Sequence, residues 1–205
     1  MRGFEGIVLS VDAIVDQGSI CVFNDGKVLF ESVFDDSTKL SSSLIPKIES
    51  AIDNAGIPLG DVGRFAVTTG PGSYTGIRVG IATIMGLARA LDVGAVGVST
   101  LEAFSRDPNI NGARPLMLVG GNEYVTLDPN ENPAFGLLLV RREELDPAES
   151  FIVDPKTYNK LSPDFEGELR LVSENIARLA GEAAVEVSEG GEPSELLPVY
   201  AKPFG

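Results

Sequence analysis

The chain has no histidine, no tryptophan and a single cysteine among its 205 residues. Without histidine it cannot build a Ser-His-Asp triad, a Cys-His dyad or a histidine-ligated metal from its own residues. One cysteine excludes an internal disulfide framework and any CxxC zinc or redox site. Cations are scarce as well: 16 Lys and Arg stand against 30 Asp and Glu, a formal charge of −14. Such a surface repels phosphate backbones and argues against unaided binding of RNA or DNA. The first apolar run is interrupted by Asp12 and is too short and too polar for a signal peptide or a membrane span. With Cys21 unpaired, a cytoplasmic location is the expectation.

What is present is globular in character: 43% of residues are hydrophobic and 22% charged, and the length allows one large domain or two small lobes. The charge is uneven. Residues 1–119 carry 13 acids and 9 bases, whereas 120–205 carry 17 acids and 7 bases. The loop Arg106-Asp107-Pro108-Asn109-Ile110-Asn111-Gly112 is rich in residues that punctuate structure. The expected division is therefore a lobe over 1–105 and a second over 106–205. No repeat of solenoid period occurs, and 188–195 reads as a solvated loop.

The first half reads as three strands followed by alternating helices and strands. Ile7–Asp12 and Ile20–Phe23 are apolar runs of strand length. Asn24-Asp25-Gly26-Lys27 is a hairpin signal, and Val28–Val33 returns as the third strand. Leu40, Leu44, Ile45, Ile48 and Ile52 recur at helical spacing, predicting an amphipathic helix over 40–55. Pro46 within it predicts that the hydrogen-bonded helix starts near Ser43, with proline in the first turn. Arg64–Thr68 is a strand, 75–91 a helix, Ala95–Val98 a strand and Thr100–Phe104 a short helix. This order predicts an α/β fold with a mixed sheet flanked by helices, the pattern of one lobe of a ribonuclease-H-like or actin-like protein. In the second half, Leu116–Val119, Tyr124–Leu127, Phe135–Val140 and Leu169–Val172 read as strands. Ser173–Ala180 reads as a helix with a serine cap. The opening hairpins of this half are compatible with a degenerate copy of the first lobe.

The most informative segment is the glycine-rich loop Gly70-Pro71-Gly72-Ser73-Tyr74-Thr75-Gly76, which continues into Ile77-Arg78-Val79-Gly80. A strand-to-helix loop of this kind offers backbone N–H groups to an anion. It is not a P-loop, since Gly-Lys-Ser/Thr is missing; tight turning and close helix–strand packing are the competing explanation. In the following helix Ile77, Ile81, Ile84, Ala88 and Leu91 form one apolar stripe, while Gly76, Gly80, Thr83 and Leu87 form a face of mostly small residues. Three helical glycines cost about 3 kcal/mol relative to alanine, so a close approach should offset them. Either a partner helix or the molecule's own interior fills that role.

These segments resemble the bacterial TsaB (YeaZ) family. Residues 70–80 are similar to its GPGSFTGxRxG signature, and Gly94-Ala95-Val96-Gly97-Val98-Ser99-Thr100-Leu101-Glu102-Ala103 to its GVSTLEA segment. Leu197-Pro198-Val199-Tyr200 resembles its C-terminal PxYLR. The resemblance implies two ribonuclease-H-like lobes of the actin-like ASKHA superfamily, formerly annotated peptidase M22 or glycoprotease-like. It implies a non-catalytic subunit of the complex that makes N6-threonylcarbamoyladenosine in tRNA, supporting a catalytic TsaD-like paralogue together with a TsaE-like ATPase. It further implies a homodimer or heterodimer through the two first-lobe helices, with tRNA met only through the complex. The docking residues expected here are Leu40, Leu44, Lys47, Tyr74, Gly76, Arg78, Gly80, Thr83 and Leu87.

The chain also departs from that family. Ala13-Ile14-Val15 stands where hydroxyl residues often follow the first-strand acid. Leu40-Ser41-Ser42-Ser43-Leu44-Ile45-Pro46 lacks the family's His and Glu, and Leu118–Val125 keeps little beyond Glu123-Tyr124. The expectation is thus a divergent member, with no catalytic or metal residue and no cofactor in the isolated chain, nucleotide entering only through the complex. Other chemistry is thin. Asp12 and Asp16 sit where a nuclease of this fold places metal carboxylates, but a solvated turn acid is the plainer reading. Arg141–Glu144 reads as a solvated charged face, and Cys21 as core. The competing functions are an ATP-binding actin-like small-molecule kinase and a homodimeric scaffold that has lost TsaD binding.

Overall fold

The computed structural model describes residues 4–15, 18–34, 40–128, 136–187 and 196–201. Strands β1 (Ile7–Asp12), β2 (Ser19–Asn24) and β3 (Lys27–Val33) form an antiparallel meander. Helix α1 (Leu40–Ala55) leads to β4 (Val62–Thr68), and α2 (Tyr74–Leu91) to β5 (Gly94–Val98). Both β4 and β5 join in parallel, giving the order β3-β2-β1-β4-β5. The chain continues through α3 (Thr100–Phe104), β6 (Arg114–Gly120), β7 (Glu123–Leu127), β8 (Leu137–Arg141), β9 (Ser150–Val153), α4 (Pro155–Leu161), β10 (Glu168–Leu171) and α5 (Ile176–Glu186). The second sheet runs β8-β7-β6-β9-β10 with the same alternation of antiparallel and parallel pairs. The second half therefore repeats the strand order of the first, and the fold is two mixed sheets flanked by helices.

Both faces of the first sheet are apolar. Leu9, Val11, Ile20, Val22, Phe65 and Val67 point to one side, where Leu44, Ile48 and Ile52 of α1 and Ile77, Ile81 and Ile84 of α2 cover them. Val8, Cys21, Phe23, Ala66, Val96 and Val98 point to the other. There α3 and α5 lie in a layer shared with Met117, Val125 and Ile152 of the second sheet. A sheet buried on both faces reads as continuous apolar runs rather than alternation, as the strands of the first half do. Burial also pushes the Cys21 thiol far above its usual range, with Glu31 adding to the effect.

Helix α5 comes from the far end of the chain and packs on the first sheet, against β1, β2 and β4. Gly181 lets it approach β2 closely, because a Cβ there would run into the Phe23 ring. Ser19 Oγ accepts the amide of Ala177 at 3.0 Å. At the other end Arg64 of β4, 3% exposed, donates to the carbonyls of Ala184 at 2.9 Å and Val187 at 2.6 Å. These are carbonyls that a helix C-terminus leaves without partners. Arg106 grips Glu186 through two bonds of 3.0 and 2.8 Å, which hold that carboxyl below the usual glutamate range.

Three local expectations are corrected. Helix α1 begins at Leu40 rather than near Ser43, so Pro46 lies inside it. Proline removes one ladder bond, but burial of Leu44, Ile48, Ala51 and Ile52 against the sheet holds the helix together. Helix α5 is capped by Asn175, whose side chain accepts from the Arg178 amide, not by Ser173. Ser173 is instead drawn to Asp107, donating both its amide and its hydroxyl to that buried carboxylate. The segment β9–α4 was not foreseen: Asp154 caps α4 and Pro155 stands in its first turn. Phe135 and the loop 188–195 lie outside the described residues.

The glycines of α2 separate into two kinds. A Cβ at Gly76 would collide with the carbonyl oxygen of Ala13, while one at Gly86 would meet nothing within 4 Å. Gly76→Ala is expected to destabilise the protein by about 3 kcal/mol, the upper end of overpacking. Gly86→Ala is expected to stabilise it by about 0.5–1 kcal/mol. Urea unfolding midpoints at unchanged m-value measure both; equal midpoints for the two variants contradict the packing described.

Candidate functional site

The glycine-rich loop joins β4 to α2 and is held between the turn after β1 and the segment 196–201. Gly70 and Gly72 have φ of 111° and 144°, conformations that side-chain-bearing residues rarely adopt. The Gly70 carbonyl accepts from Thr100 N at 2.8 Å, and the Thr69 carbonyl from Val199 N at 2.8 Å. A Cβ at Gly70 would strike the Val199 carbonyl, and one at Gly72 would strike Ile14. The turn after β1 and the returning segment 196–201 thus sit directly on the loop. Ser73 caps α2, accepting from Gly76 N at 3.2 Å.

Close packing explains most of the glycine face. A Cβ at Gly80 would lie 3.3 Å from Val67 Cγ2 and 3.4 Å from Ala13 Cβ. Gly76 and Gly80 therefore face the molecule's own strands, not a free helix partner, and leave the set of exposed docking residues. So does Leu44, which is 1% exposed and part of the core. Lys47 lies with its Nζ 4.6 Å from the Phe34 ring centroid. Thr83 and Leu87 are half-buried, and Pro71 is buried. Leu40 opens α1, and its side chain is outside the described residues.

Tyr74, Thr75 and Arg78 remain exposed at the start of α2. Tyr74 stacks on Tyr200 with ring centroids 5.5 Å apart. The Arg78 guanidinium carbon lies 4.1 Å from the Tyr74 ring centroid, and its Nε donates to the Tyr200 hydroxyl at 3.4 Å. That hydrogen bond and the two tyrosines raise the arginine's pKa further. Sequence reasoning singled out Tyr74 and Arg78 but did not place Tyr200 beside them, because the two segments are 122 residues apart in the chain.

Beside the loop, the space between the two sheets forms a cleft. One part, about 400 Å³, is lined by Asp12, Val15, Ser19, Asp154, Glu174 and Asn175 among others. An adjoining part, about 250 Å³, includes Ile14, Gly72, Ser73, Met117, Asp154 and Lys156. Asp12 is 1% exposed, so it is a buried turn acid and not a solvated one. Its carboxylate accepts from the amides of Ile14 at 3.1 Å and Val15 at 3.3 Å and from Thr68 Oγ1 at 2.6 Å. Asp16 lies outside the described residues. Asp154 and Glu174 were missed as cleft residues; the helix-start pattern Asp154-Pro155 was a usable signal for the first. No group of three or more His, Cys, Asp or Glu able to hold a metal occurs among the described residues, and no described helix is long and apolar enough to cross a membrane.

A nucleotide in this cleft would need phosphate donors from the turn after β1 and from the glycine loop. The residues fit that group poorly. The Ile14 and Val15 amides are already given to Asp12, and the Ile14 side chain presses on Gly72.

The family model described as "TsaD: tRNA N6-adenosine threonylcarbamoyltransferase" matches residues 35–127. The chain is 33% identical over 101 residues to the tRNA threonylcarbamoyladenosine biosynthesis protein TsaB of Escherichia coli K12, covering 48% of this chain and 42% of that one. It spans about half the length of the curated TsaB relatives it matches. YeaZ from Pseudomonas aeruginosa superposes with a TM-score of 0.72 at 23% identity, over 95% of this chain and 99% of that one. The activator of the 2-hydroxyisocaproyl-CoA dehydratase from Clostridium difficile, solved with bound ADPNP, superposes at 0.50 and 9% identity, over 87% and 94%. The two sheets of shared order and the cleft between them define a protein of the actin-like ATPase fold. The matches in the first half are to TsaB proteins and to the TsaD family model, and a solved structure with which the chain shares its fold is YeaZ.

Removing the Asp12 side chain strands two amides and a buried hydroxyl. Asp12→Ala is expected to cost about 3 kcal/mol, and Asp12→Asn, which keeps an acceptor, roughly 1 kcal/mol. Urea denaturation of the two variants reads the difference; an Asp12→Ala variant as stable as the parent contradicts the turn-acid role.

Proposed function

We propose that the chain is a non-catalytic subunit of the machinery that forms N6-threonylcarbamoyladenosine in tRNA, and that it docks on a TsaD-like paralogue through α1 and α2. The observation that carries this reading is the segment 70–80. Its sequence resembles the TsaB (YeaZ) signature, and its packed glycines hold the start of α2 with Tyr74 and Arg78 outward. A rigid exposed helix face is suited to presenting a surface, since little ordering cost remains to be met on binding. The printed name of the Escherichia coli relative supports the pathway, and the family-model match supports kinship with the catalytic paralogue. A TsaE-like ATPase joins the complex, and tRNA is handled by the partners, in keeping with a charge of −14. Division of the chain into lobes near residue 106 accompanies this reading.

The isolated chain holds no nucleotide on this reading. Support comes from the Asp12 turn, whose amides are spent internally, and from Ile14 against the loop. Calorimetry with ATP and magnesium on the isolated chain is expected to give no binding heat. Tight binding with turnover would overturn the reading in favour of an actin-like kinase.

Co-expression with the TsaD-like paralogue of the same organism, with the TsaE-like ATPase and nucleotide present, is expected to yield a complex that survives size exclusion. Depleting the chain is expected to lower threonylcarbamoyladenosine in total tRNA. Absence of any complex under these conditions rejects paralogue docking and leaves a homodimeric scaffold.

A further inference from the structure

Residues 62–91 contain three arginines and no acid, in a chain that holds 30 acids. Arg89 is exposed in the last turn of α2, at the opposite end from the glycine loop, and the other two are placed differently. Arg64 is buried on the α5 carbonyls; Arg78 is exposed at the start of α2. Arg106, Arg114, Arg142, Arg170 and Arg178 each lie within 4.0 Å of a carboxylate. No carboxylate comes within ion-pair distance of Arg78 among the described residues. Its neighbours are the Tyr74 ring and the Tyr200 hydroxyl, neither of which carries negative charge. They direct the guanidinium without neutralising it, leaving its fork of Nη donors able to take a carboxylate in two parallel bonds.

Tyr200 reaches this place because the segment 196–201 is strapped onto the glycine loop. Leu196 is buried beside Gly97, Val199 bonds to Thr69, and the Tyr200 ring then stacks on Tyr74. The strap thus brings the far end of the chain to the docking face and fixes a long side chain before any partner arrives. Fixing it beforehand removes an ordering cost from association.

We propose that Arg78 is the electrostatic anchor of this face, taking a carboxylate of the TsaD-like paralogue, and that Tyr200 is the positioning residue that sets its guanidinium. The proposal rests on the paralogue-docking reading and specifies its chemistry: the paralogue is acidic where it meets the start of α2. A cationic spot on a chain of net charge −14 selects such a partner by complementarity, because the rest of the surface repels it.

The test is surface-plasmon or stopped-flow measurement of binding to the purified paralogue at several salt concentrations. Melting temperatures serve as the control for folding. Arg78→Glu is expected to weaken binding by about tenfold or more, and Arg78→Gln to slow association and flatten the salt dependence. Tyr200→Ala is expected to leave association unchanged and speed dissociation by about five-fold, since the charge stays while its orientation is lost. Tyr200→Phe, which keeps the ring, is expected to lose about two-fold. If the parent binds the paralogue but Arg78→Glu binds equally well with unaltered salt dependence, the anchor is wrong and docking stands. If Tyr200→Ala binds as the parent does, the positioning role is wrong. If the parent does not bind at all, docking fails and the anchor with it. A homodimer that Arg78→Glu dissociates, without paralogue binding, assigns the face to a second copy and overturns the choice of partner.

Discussion

The first sheet is apolar on both faces, and the rest of the structure follows from the need to cover both. Helices α1 and α2 are close at hand in the chain and take one side. The other side is closed by α3 and by α5, which must return from beyond the second sheet. That return forces the two sheets into a shared layer, with Met117, Val125 and Ile152 meeting Ala177, Ala180 and Ala184 across it. Burial of such side chains is worth about 25 cal/mol per Å² of apolar surface, so the layer outweighs the surface ion pairs around it. The cleft and the C-terminal strap are consequences, since both lie where the returning chain meets the first sheet.

Within that frame the start of α2 is held by contacts of backbone dimensions. Ala13 sits against Gly76 and Gly80, Ile14 against Gly72, and Val199 against Gly70. Each glycine is therefore a point of interlock between the loop and one of its two covers, the β1–β2 turn or the strap. The loop of this protein is built for packing, and its exposed side chains, Tyr74 and Arg78, are what it offers outward. Charge follows a similar division. Among the described residues Arg106, Arg114, Arg142, Arg170 and Arg178 are paired with carboxylates within the fold, while α2 carries no acid at all.

Much of the first half was legible in the sequence. Apolar runs of strand length, the Asp25-Gly26 hairpin and the helical spacing of 40–55 and 75–91 are local signals, and the elements formed where those signals lay. The second half was less legible because its strands are short and its helices few. The turn at 142–144 replaces the helix that the first half has between its third and fourth strands. Ser173 looked like a cap because its local pattern is that of one; a buried carboxylate at Asp107, 66 residues away, claimed it instead. Pro46 looked like a first-turn residue because the helix rule is local, and tertiary burial overrode it.

By itself the sequence determined the strand and helix inventory of the first half, the family motif over 70–80, and the exclusion of histidine chemistry. These depend on side-chain identity and on periods of two and 3.6 residues, which a chain displays without folding. Only the tertiary structure decided which way the α2 glycines face, that Leu44 is interior while Arg78 is not, and that Tyr200 stands beside them. Those are distances between segments that lie far apart in the chain, 122 residues for Arg78 and Tyr200. They are set by how two apolar faces of one sheet are covered, a matter of packing that no local pattern encodes.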